Sequence, residues 1–593
     1  MLDVRRNRLN YGELLSAPEG FELSRAVGTT YSLDLYALLA IPVALFYAKS
    51  MEGDFQLNRY DVLDAIRQSS DKVDLFCQRG KISVPKKYSN LFAFMEACVE
   101  EVEPAMEYAS FHPKMWVLRF ERGDEVLYRM VVLSRNLTFD RSWDIAYYAD
   151  GFISDKVNNQ SKKLSQFLQS FYKKTDRKID VNFFEELKKV AFALPEGFTD
   201  FDTFPINRLE TEEFVNPLEE AKYSRLLIIS PFIDVTTLQR LKKNNDKLVL
   251  LSREEELDKI SQQALSDIDV YCLNRLVRDG ESIIDTEGER PLMQNLHAKI
   301  FIGKIGSFTD WYMGSANSTD PAFGRNTEML IKISSDERNK QLNSVEKMLF
   351  EDQSDFFQKY IPSEFEEDVE KELLNKNKRS FIYQLTKKSF IGKLIKSTEN
   401  ENYKLTVSVD LRGVTNEQLN ARLNLVHRSK QQQNLVLGTI NELVFDNIAI
   451  TNLSSYLIIS LYANKEFEDS LAIKMDIEIP EERESIIFNN LINSRTKFFE
   501  YLQFLLAPDQ QNGSLIIGKE VSLHEVEADT MQSIFGLNTP IYESLMMAAS
   551  RNPKKLVEID RIINKLVEVN SEVIEDFMPI WNVFKEFAHE GRY

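Results

Sequence analysis

Leu296-His297-Ala298-Lys299, then Gly314-Ser315-Ala316-Asn317, then Glu328: this stretch sets a histidine, a lysine, an amide and a carboxylate around two apolar segments. Ile300-Phe301-Ile302 and Trp311-Tyr312-Met313 flank a turn at Gly306-Ser307 and read as paired strands. A poorer copy lies upstream, His112-Pro113-Lys114 and then Ser134-Arg135-Asn136, around Met115–Leu118 and Tyr128–Leu133 with a turn at Gly123-Asp124. The chain has five histidines, and only His112 and His297 are followed by a lysine two residues on, so the pairing marks these two out from His427, His524 and His589. The histidines are 185 residues apart and the asparagines 181, so the copies keep their order and differ in loop length.

Working outward, each copy carries the same elements. Leu35–Val43 and Lys72–Cys77 read as strands and Tyr88–Val102 as a helix in the first; the run Leu35–Ala48, with Pro42 inside it, is too short to span a bilayer and is expected as a buried strand and turn. In the second, Arg225–Ser230 and Lys247–Leu251 read as strands around a helix at Thr236–Lys243. Between the copies, Asn158–Leu194 is expected to be mainly helical. Its Lys162, Lys163, Lys173, Lys174, Arg177 and Lys178 read as a solvated face or, with Phe167, Phe171 and Tyr172, as a rim that tracks phosphates.

At 593 residues the chain is too long for one core. Expected units are 1–200 and 201–355, each holding one copy, a β-rich region at 356–480 with a basic linker, and a helical region at 481–593. The last includes helices at Lys497–Leu506, Leu556–Val567 and Phe577–Phe587. The fold class is α/β, two α-β-α halves around one composite site with a C-terminal α+β accessory region. Charge stands at -19, which disfavours a protein that coats DNA with its whole surface and requires any nucleic acid to lie in a locally basic groove. Such a stretch exists: between Lys376 and Lys396 no acidic residue interrupts Lys376, Lys378, Arg379, Lys387, Lys388 and Lys393, and Phe381, Tyr383 and Phe390 are interleaved. It reads as a nucleic-acid contact or as a connector. Cys77, Cys98 and Cys272 lie apart, which argues against a zinc site or a disulfide framework and fits a reducing compartment. With no apolar leader after Met1 and no span, the expected location is cytoplasmic.

The paired residues have a chemistry in common. Displacement at a phosphodiester needs a nucleophile on one side of phosphorus, a proton donor on the other, and fixed donors for oxygens that gain charge. Histidine serves both ends near neutral pH, while lysine and an asparagine amide clamp oxygens. Two sets of His, Lys and Asn therefore suffice for a two-step covalent reaction without metal. The blander readings are a satisfied core histidine, or an inactive copy kept for binding; the repetition of the whole set argues against the first.

These residues resemble the half-site of the phospholipase D superfamily, H-x-K followed by G-S-x-N and a later acidic residue. The second copy matches at His297, Lys299, Gly314, Ser315 and Asn317, and the first at His112, Lys114, Ser134 and Asn136 with Leu133 in place of the glycine. The Asp that follows the lysine in lipid-cleaving members is Arg119 and Lys304 here, a departure shared with the tyrosyl-DNA phosphodiesterase branch. The resemblance covers roughly residues 30–335. It implies His112 as nucleophile, forming a phosphohistidine, and His297 as general acid and base. Lys114, Lys299, Asn136 and Asn317 would hold the phosphoryl oxygens, with Ser134 and Ser315 adding hydrogen bonds and Glu328 orienting His297. In the first copy Tyr147 stands at the position of Glu328, with Asp144 or Asp140 as substitutes. No cofactor is implied. The resulting expectation is a metal-independent nuclease acting on DNA, in phage defence or DNA processing, with a helicase or ATPase partner and further copies of itself as candidate partners. The alternatives are a phospholipase or phosphatidyltransferase, and a non-catalytic nucleic-acid-binding scaffold.

Overall fold

A computed structural model describes residues 11–47, 65–138, 142–210, 214–274, 295–363, 368–398, 401–491, 553–570 and 577–590, apart from 68 and 176, with scattered positions between 497 and 574. The chain is a mixed α/β protein whose two largest sheets repeat one strand pattern. The first, of seven strands, runs Val190–Phe192, Ala146–Ile153, Glu125–Leu133, Met115–Arg122, Glu22–Thr30, Val73–Gln78, Val99–Val102. The second, of eight, runs Asp200–Ile206, Glu328–Ser335, Phe308–Gly314, Ile300–Ile305, Arg225–Ile229, Leu248–Ser252, Ile268–Leu273, Phe357–Lys359. In both, the strand that opens the pattern (Glu22–Thr30 or Arg225–Ile229) pairs in parallel with its next neighbour on one side and antiparallel with the strand after the His-x-Lys on the other.

Strands in the middle of each sheet read as unbroken apolar runs because both of their faces are covered. Val249 and Leu251 point into a core shared with Val117 and Met130 of the other sheet, whereas Leu248 and Leu250 point into a second core with Leu238 and Leu241 of the helix Val235–Asn244. The shared core also takes Leu164, Phe167, Leu168 and Phe171 from the helix Asn159–Tyr172, at the three-and-four spacing of one helix face, capped by the Asn158 side chain. In the Lys-rich stretch Phe167 and Phe171 are core residues, Lys163 pairs with Asp202 and Lys173 with Glu210, and Arg177 and Tyr172 both bind Asp74, so no aromatics line a rim there, while Lys162, Lys174 and Lys178 are exposed.

Leu35–Tyr47 is a helix rather than the expected strand. An apolar run carries no periodicity to separate a buried strand from a buried helix. The decision lies with Asp34, whose carboxylate accepts from the backbone N–H of Tyr36 and Ala37 and starts a helix that is apolar on every side. Tyr88–Val102 holds only a short helix, Phe92–Met95, before a 3-10 turn and the edge strand Val99–Val102.

The remaining sheets, of six and four strands, enclose a core to which the helix Val369–Thr386 adds Phe381 and Leu385. The six-stranded sheet takes in Leu33–Asp34 and Ile82–Ser83 from the N-terminal region, and a buried Glu96–Arg483 pair at 2.9 Å joins the two regions. Ile559, Ile562 and Trp581 from the helices Pro553–Asn570 and Met578–Glu590 share a core with Leu38, Trp116 and Leu118. Half of Lys497–Leu506, and His524, lie outside the described residues. Among the described residues no helix is long and apolar enough to cross a membrane.

Candidate active site

His112 and His297 each sit in the extended connection just before a strand, and each of those connections is tied to the other sheet's carboxylate. His112 N–H donates to the Thr327 carbonyl at 2.8 Å, and Thr327 N–H to Ser110 at 2.8 Å, which sets Glu328 beside the imidazole. The Glu328 carboxylate meets His112 Nδ1 at 2.9 Å. On the other side, Asn295 and Leu296 pair with Ser142 and Trp143, and His297 N–H donates to the Trp143 carbonyl at 3.0 Å. Asp144 then lies 3.2 Å from His297 Nδ1.

The carboxylates are therefore exchanged between the copies, and Glu328 holds His112, not His297 as expected. Distance along the chain from Asn317 to Glu328 says which copy the carboxylate belongs to, but the pairing of Thr327 with the His112 connection decides which ring it meets. Asp144 fills the corresponding place opposite. Ile145 N–H donates to Ser134 Oγ at 2.9 Å just as Met329 N–H donates to Ser315 Oγ at 2.9 Å, which makes Asp144-Ile145 the counterpart of Glu328-Met329. Tyr147 faces the shared core, and Asp140 lies outside the described residues.

The lysines are buried between these groups, Lys114 at 1% and Lys299 at 0% exposure. Each ammonium donates to the carbonyl of the histidine two residues earlier, at 2.9 and 2.7 Å, and Lys299 also reaches the Ser134 carbonyl of the opposite copy at 3.3 Å. Asn136 and Asn317 each leave a buried side-chain Oδ1 without a hydrogen-bond partner. A buried acceptor without a donor is costly, and such groups gather where a ligand completes the bonding; on the same side chains the Nδ2 groups are the donors an anionic oxygen would take.

Burial controls the charges. It pushes the Glu328 carboxyl up to about 8, against the pull of Lys114 and of the Ser315 and Asn326 side chains that bond it. Burial, joined by the neighbouring lysine charges, holds His112 well below the usual imidazole value and His297 at about 4. Burial likewise lowers Lys114 to about 7 and Lys299 well below an ordinary lysine. An anion at the centre of the site would raise both lysines toward their charged form.

Gly314 has φ +153°, and a Cβ there would stand 2.1 Å from the Met329 carbonyl oxygen, so the second copy requires its glycine. In the first copy Leu133 takes the place, its N–H bonded to the Lys114 carbonyl at 2.8 Å. Arg119 is held by Glu186 at 2.7 Å, and Lys304 stands on the strand Ile300–Ile305 beyond the motif. Among the described residues no group of three or more His, Cys, Asp and Glu comes together as a metal would need.

Tyr31, Lys81, Phe232 and Arg253 were not anticipated. The Tyr31 ring stands edge-on to His112 with centroids 5.0 Å apart, and Arg253 donates to the Leu296 carbonyl at 2.8 Å. For Tyr31 and Phe232 the signal was the pair Leu33-Asp34 and Ile233-Asp234, which aligns the two loops that follow the opening strands with one ring in each; Lys81 and Arg253 follow the next strands and had no such signal.

The basic stretch is divided by its own folding. Phe381 and Phe390 are core residues, not stacking platforms, because the helix and strand periods turn them inward. Lys378 faces Asp469 at 3.7 Å, Lys387 binds Glu103 at 2.9 Å and Lys388 donates to the Arg412 carbonyl at 2.8 Å, while Lys376, Arg379 and Lys393 are exposed. The Lys388 carbonyl accepts from Arg79, beside Lys81.

No protein-family model and no curated protein matches the chain. Among solved structures it is similar to a mutant of yeast tyrosyl-DNA phosphodiesterase, at TM-score 0.35 and 11% identity over 55% of this chain and 84% of that one. It is also similar to a polyphosphate kinase from Porphyromonas gingivalis (0.29, 12%, over 54% and 44%). A third is a phosphatidylserine synthase from Haemophilus influenzae (0.29, 12%, over 62% and 90%).

Proposed function

We propose that the chain is a metal-independent phosphodiesterase of the phospholipase D type, built from two halves around one composite site, and that its substrate is nucleic acid, DNA before RNA. The observation that carries this reading is the exchange of carboxylates. Two imidazoles, each met at Nδ1 by the other copy's acid, share the site with two buried lysines and with two asparagines whose buried Oδ1 has no hydrogen-bond partner.

The chemistry follows from that arrangement. Once ionised, which for Glu328 happens as pH rises toward 8, a carboxylate on Nδ1 fixes the tautomer whose Nε2 carries the lone pair. His112 Nε2 attacks phosphorus, the P–O bond to the leaving group breaks, and His297, held at about 4 without an anion beside it and protonated once the substrate's negative charge offsets the lysines, delivers a proton to the departing oxygen. Water then attacks phosphorus in line, the P–N bond breaks, and His297 takes the water's proton. Lys114, Lys299 and the amides of Asn136 and Asn317 hold the non-bridging oxygens through both steps, while Ser134 and Ser315 brace the carboxylates. The assignment of His112 as nucleophile is supported by its drier surroundings, since Glu328 is fully buried and Asp144 is not. Exposed Lys376, Arg379 and Lys393 support a path for the strand toward Lys81, and a helicase or ATPase partner is part of the same proposal, as are a cytoplasmic setting and self-association.

The test is hydrolysis of bis-p-nitrophenyl phosphate, single-stranded and duplex DNA, RNA and phosphatidylcholine vesicles, all in EDTA. Turnover of the reporter and of DNA is expected, lost by at least about a thousandfold in His112→Ala. Activity that survives both His112→Ala and His297→Ala would remove the site assignment, and cleavage of the vesicles alone would return the substrate to lipid.

A further inference from the structure

The two loops after the opening strands are built alike. Thr30 Oγ1 donates to the Ser32 carbonyl at 2.8 Å and accepts from Leu137 N–H at 3.0 Å, the residue after Asn136. Ser230 Oγ donates to the Phe232 carbonyl at 2.7 Å and accepts from Ser318 N–H at 2.9 Å, the residue after Asn317. Bridges Leu33 to Leu137 and Ile233 to Ser318 complete the match. Each clamp amide is thus bolted to a loop that carries one aromatic ring, Tyr31 in the first and Phe232 in the second.

Each ring also carries a cation. Lys81 Nζ lies 5.6 Å and Lys114 Nζ 5.7 Å from the Tyr31 centroid, and the Arg253 guanidinium lies 4.8 Å from that of Phe232. Phe232 is 39% exposed, and Tyr31 is half-buried. Each ring thus stands on a loop hydrogen-bonded to the residue that follows a clamp asparagine, beside the place a bound phosphate would take. A duplex presents stacked bases and paired edges, whereas an unpaired strand offers a π face to every ring it meets.

We infer that Tyr31 with Lys81 and Phe232 with Arg253 form two base-stacking subsites flanking the scissile phosphate, which select an unpaired nucleic-acid strand. The inference rests on the phosphodiesterase reading and names its substrate class. Cation and aromatic act together in each subsite: the cation takes the phosphate next along the strand, and the ring takes the base.

The experiment is fluorescence anisotropy of a labelled deoxyoligonucleotide on the full chain carrying His297→Asn, which keeps the strand uncleaved. Three ligands are compared: the single strand, its duplex, and the single strand with abasic sites across the central positions. Phe232→Leu is expected to weaken single-strand binding about tenfold and to leave the abasic strand's affinity as it was, because the lost contact needs a base. Tyr31→Leu should behave likewise, and Tyr31→Phe should restore binding, which separates stacking from a displaced His112. Equal losses on normal and abasic strands, tighter binding of duplex than of single strand, or no binding of the single strand would each overturn the inference. If the inference fails while His112-dependent hydrolysis of the small reporter persists, the phosphodiesterase reading stands alone. Loss of both would bring down the reading beneath it.

Discussion

The two sides of the site have the same parts and different surroundings. His112 meets a carboxylate that is fully buried and bonded by Ser315, Asn326 and the ring, whereas His297 meets Asp144, which is 13% exposed and has Arg135 at 3.7 Å and Ser142 at 3.0 Å. The rings themselves are nearly equally exposed, 14% for His112 and 18% for His297, so the inequality lies in the acids. On the proposed reading the drier acid suits the imidazole that attacks phosphorus, and the wetter one suits the imidazole that releases a proton in one step and recovers it in the next.

The largest expected effect divides the two histidines. On bis-p-nitrophenyl phosphate, His112→Ala should lose at least about a thousandfold and release no p-nitrophenol burst. His297→Ala should release one equivalent per chain and then stall, because the leaving phenolate needs no proton but the water does. Mass spectrometry of the stalled chain should find a phosphoryl adduct on His112. A burst in the His112 variant instead would reverse the assignment.

Next come the carboxylates. Glu328→Gln should cost about a hundredfold in kcat/KM and Asp144→Asn about tenfold, the range in which groups that orient a histidine act. The difference is expected because Arg135, Ser142 and solvent can share the load of Asp144, and nothing exposed can share that of Glu328. Equal losses would erase the distinction drawn above.

The smallest effect is a pH slope. Lys114, lowered to about 7, is charged below that pH and neutral above it, and Glu328, raised to about 8, gains its negative charge as pH rises through 8. Both changes remove positive charge from the site as pH rises. Competitive inhibition by sulfate, whose own charge is constant, should therefore weaken several-fold between pH 6 and pH 9. Lys114→Met should flatten the lower part of that slope more than Lys299→Met, since Lys299 is held well below an ordinary lysine. A slope untouched by either change would point to a different anion site.

The motif, its repetition and the strands around it were legible because they depend on local pattern. His-x-Lys, the polar turn after it and the apolar runs are set by residues within a few positions of one another. What escaped was decided across the interface of the two sheets. Glu328 belongs in sequence to the second copy and in space to His112, because the Thr327 backbone finds its hydrogen bonds on the connection that carries that ring. Leu35–Tyr47 escaped because a run with no polar face holds no period, and only the Asp34 cap and the surrounding core choose helix over strand. Phe381 and Phe390 are turned inward by the periods of their own helix and strand, which the basic composition of that stretch overshadows. Residue chemistry, then, was in the sequence: two histidines, two lysines, two amides. Which acid tunes which histidine, and which aromatic stands beside it, depends on backbone hydrogen bonds between segments some two hundred residues apart. No spacing along the chain encodes those bonds.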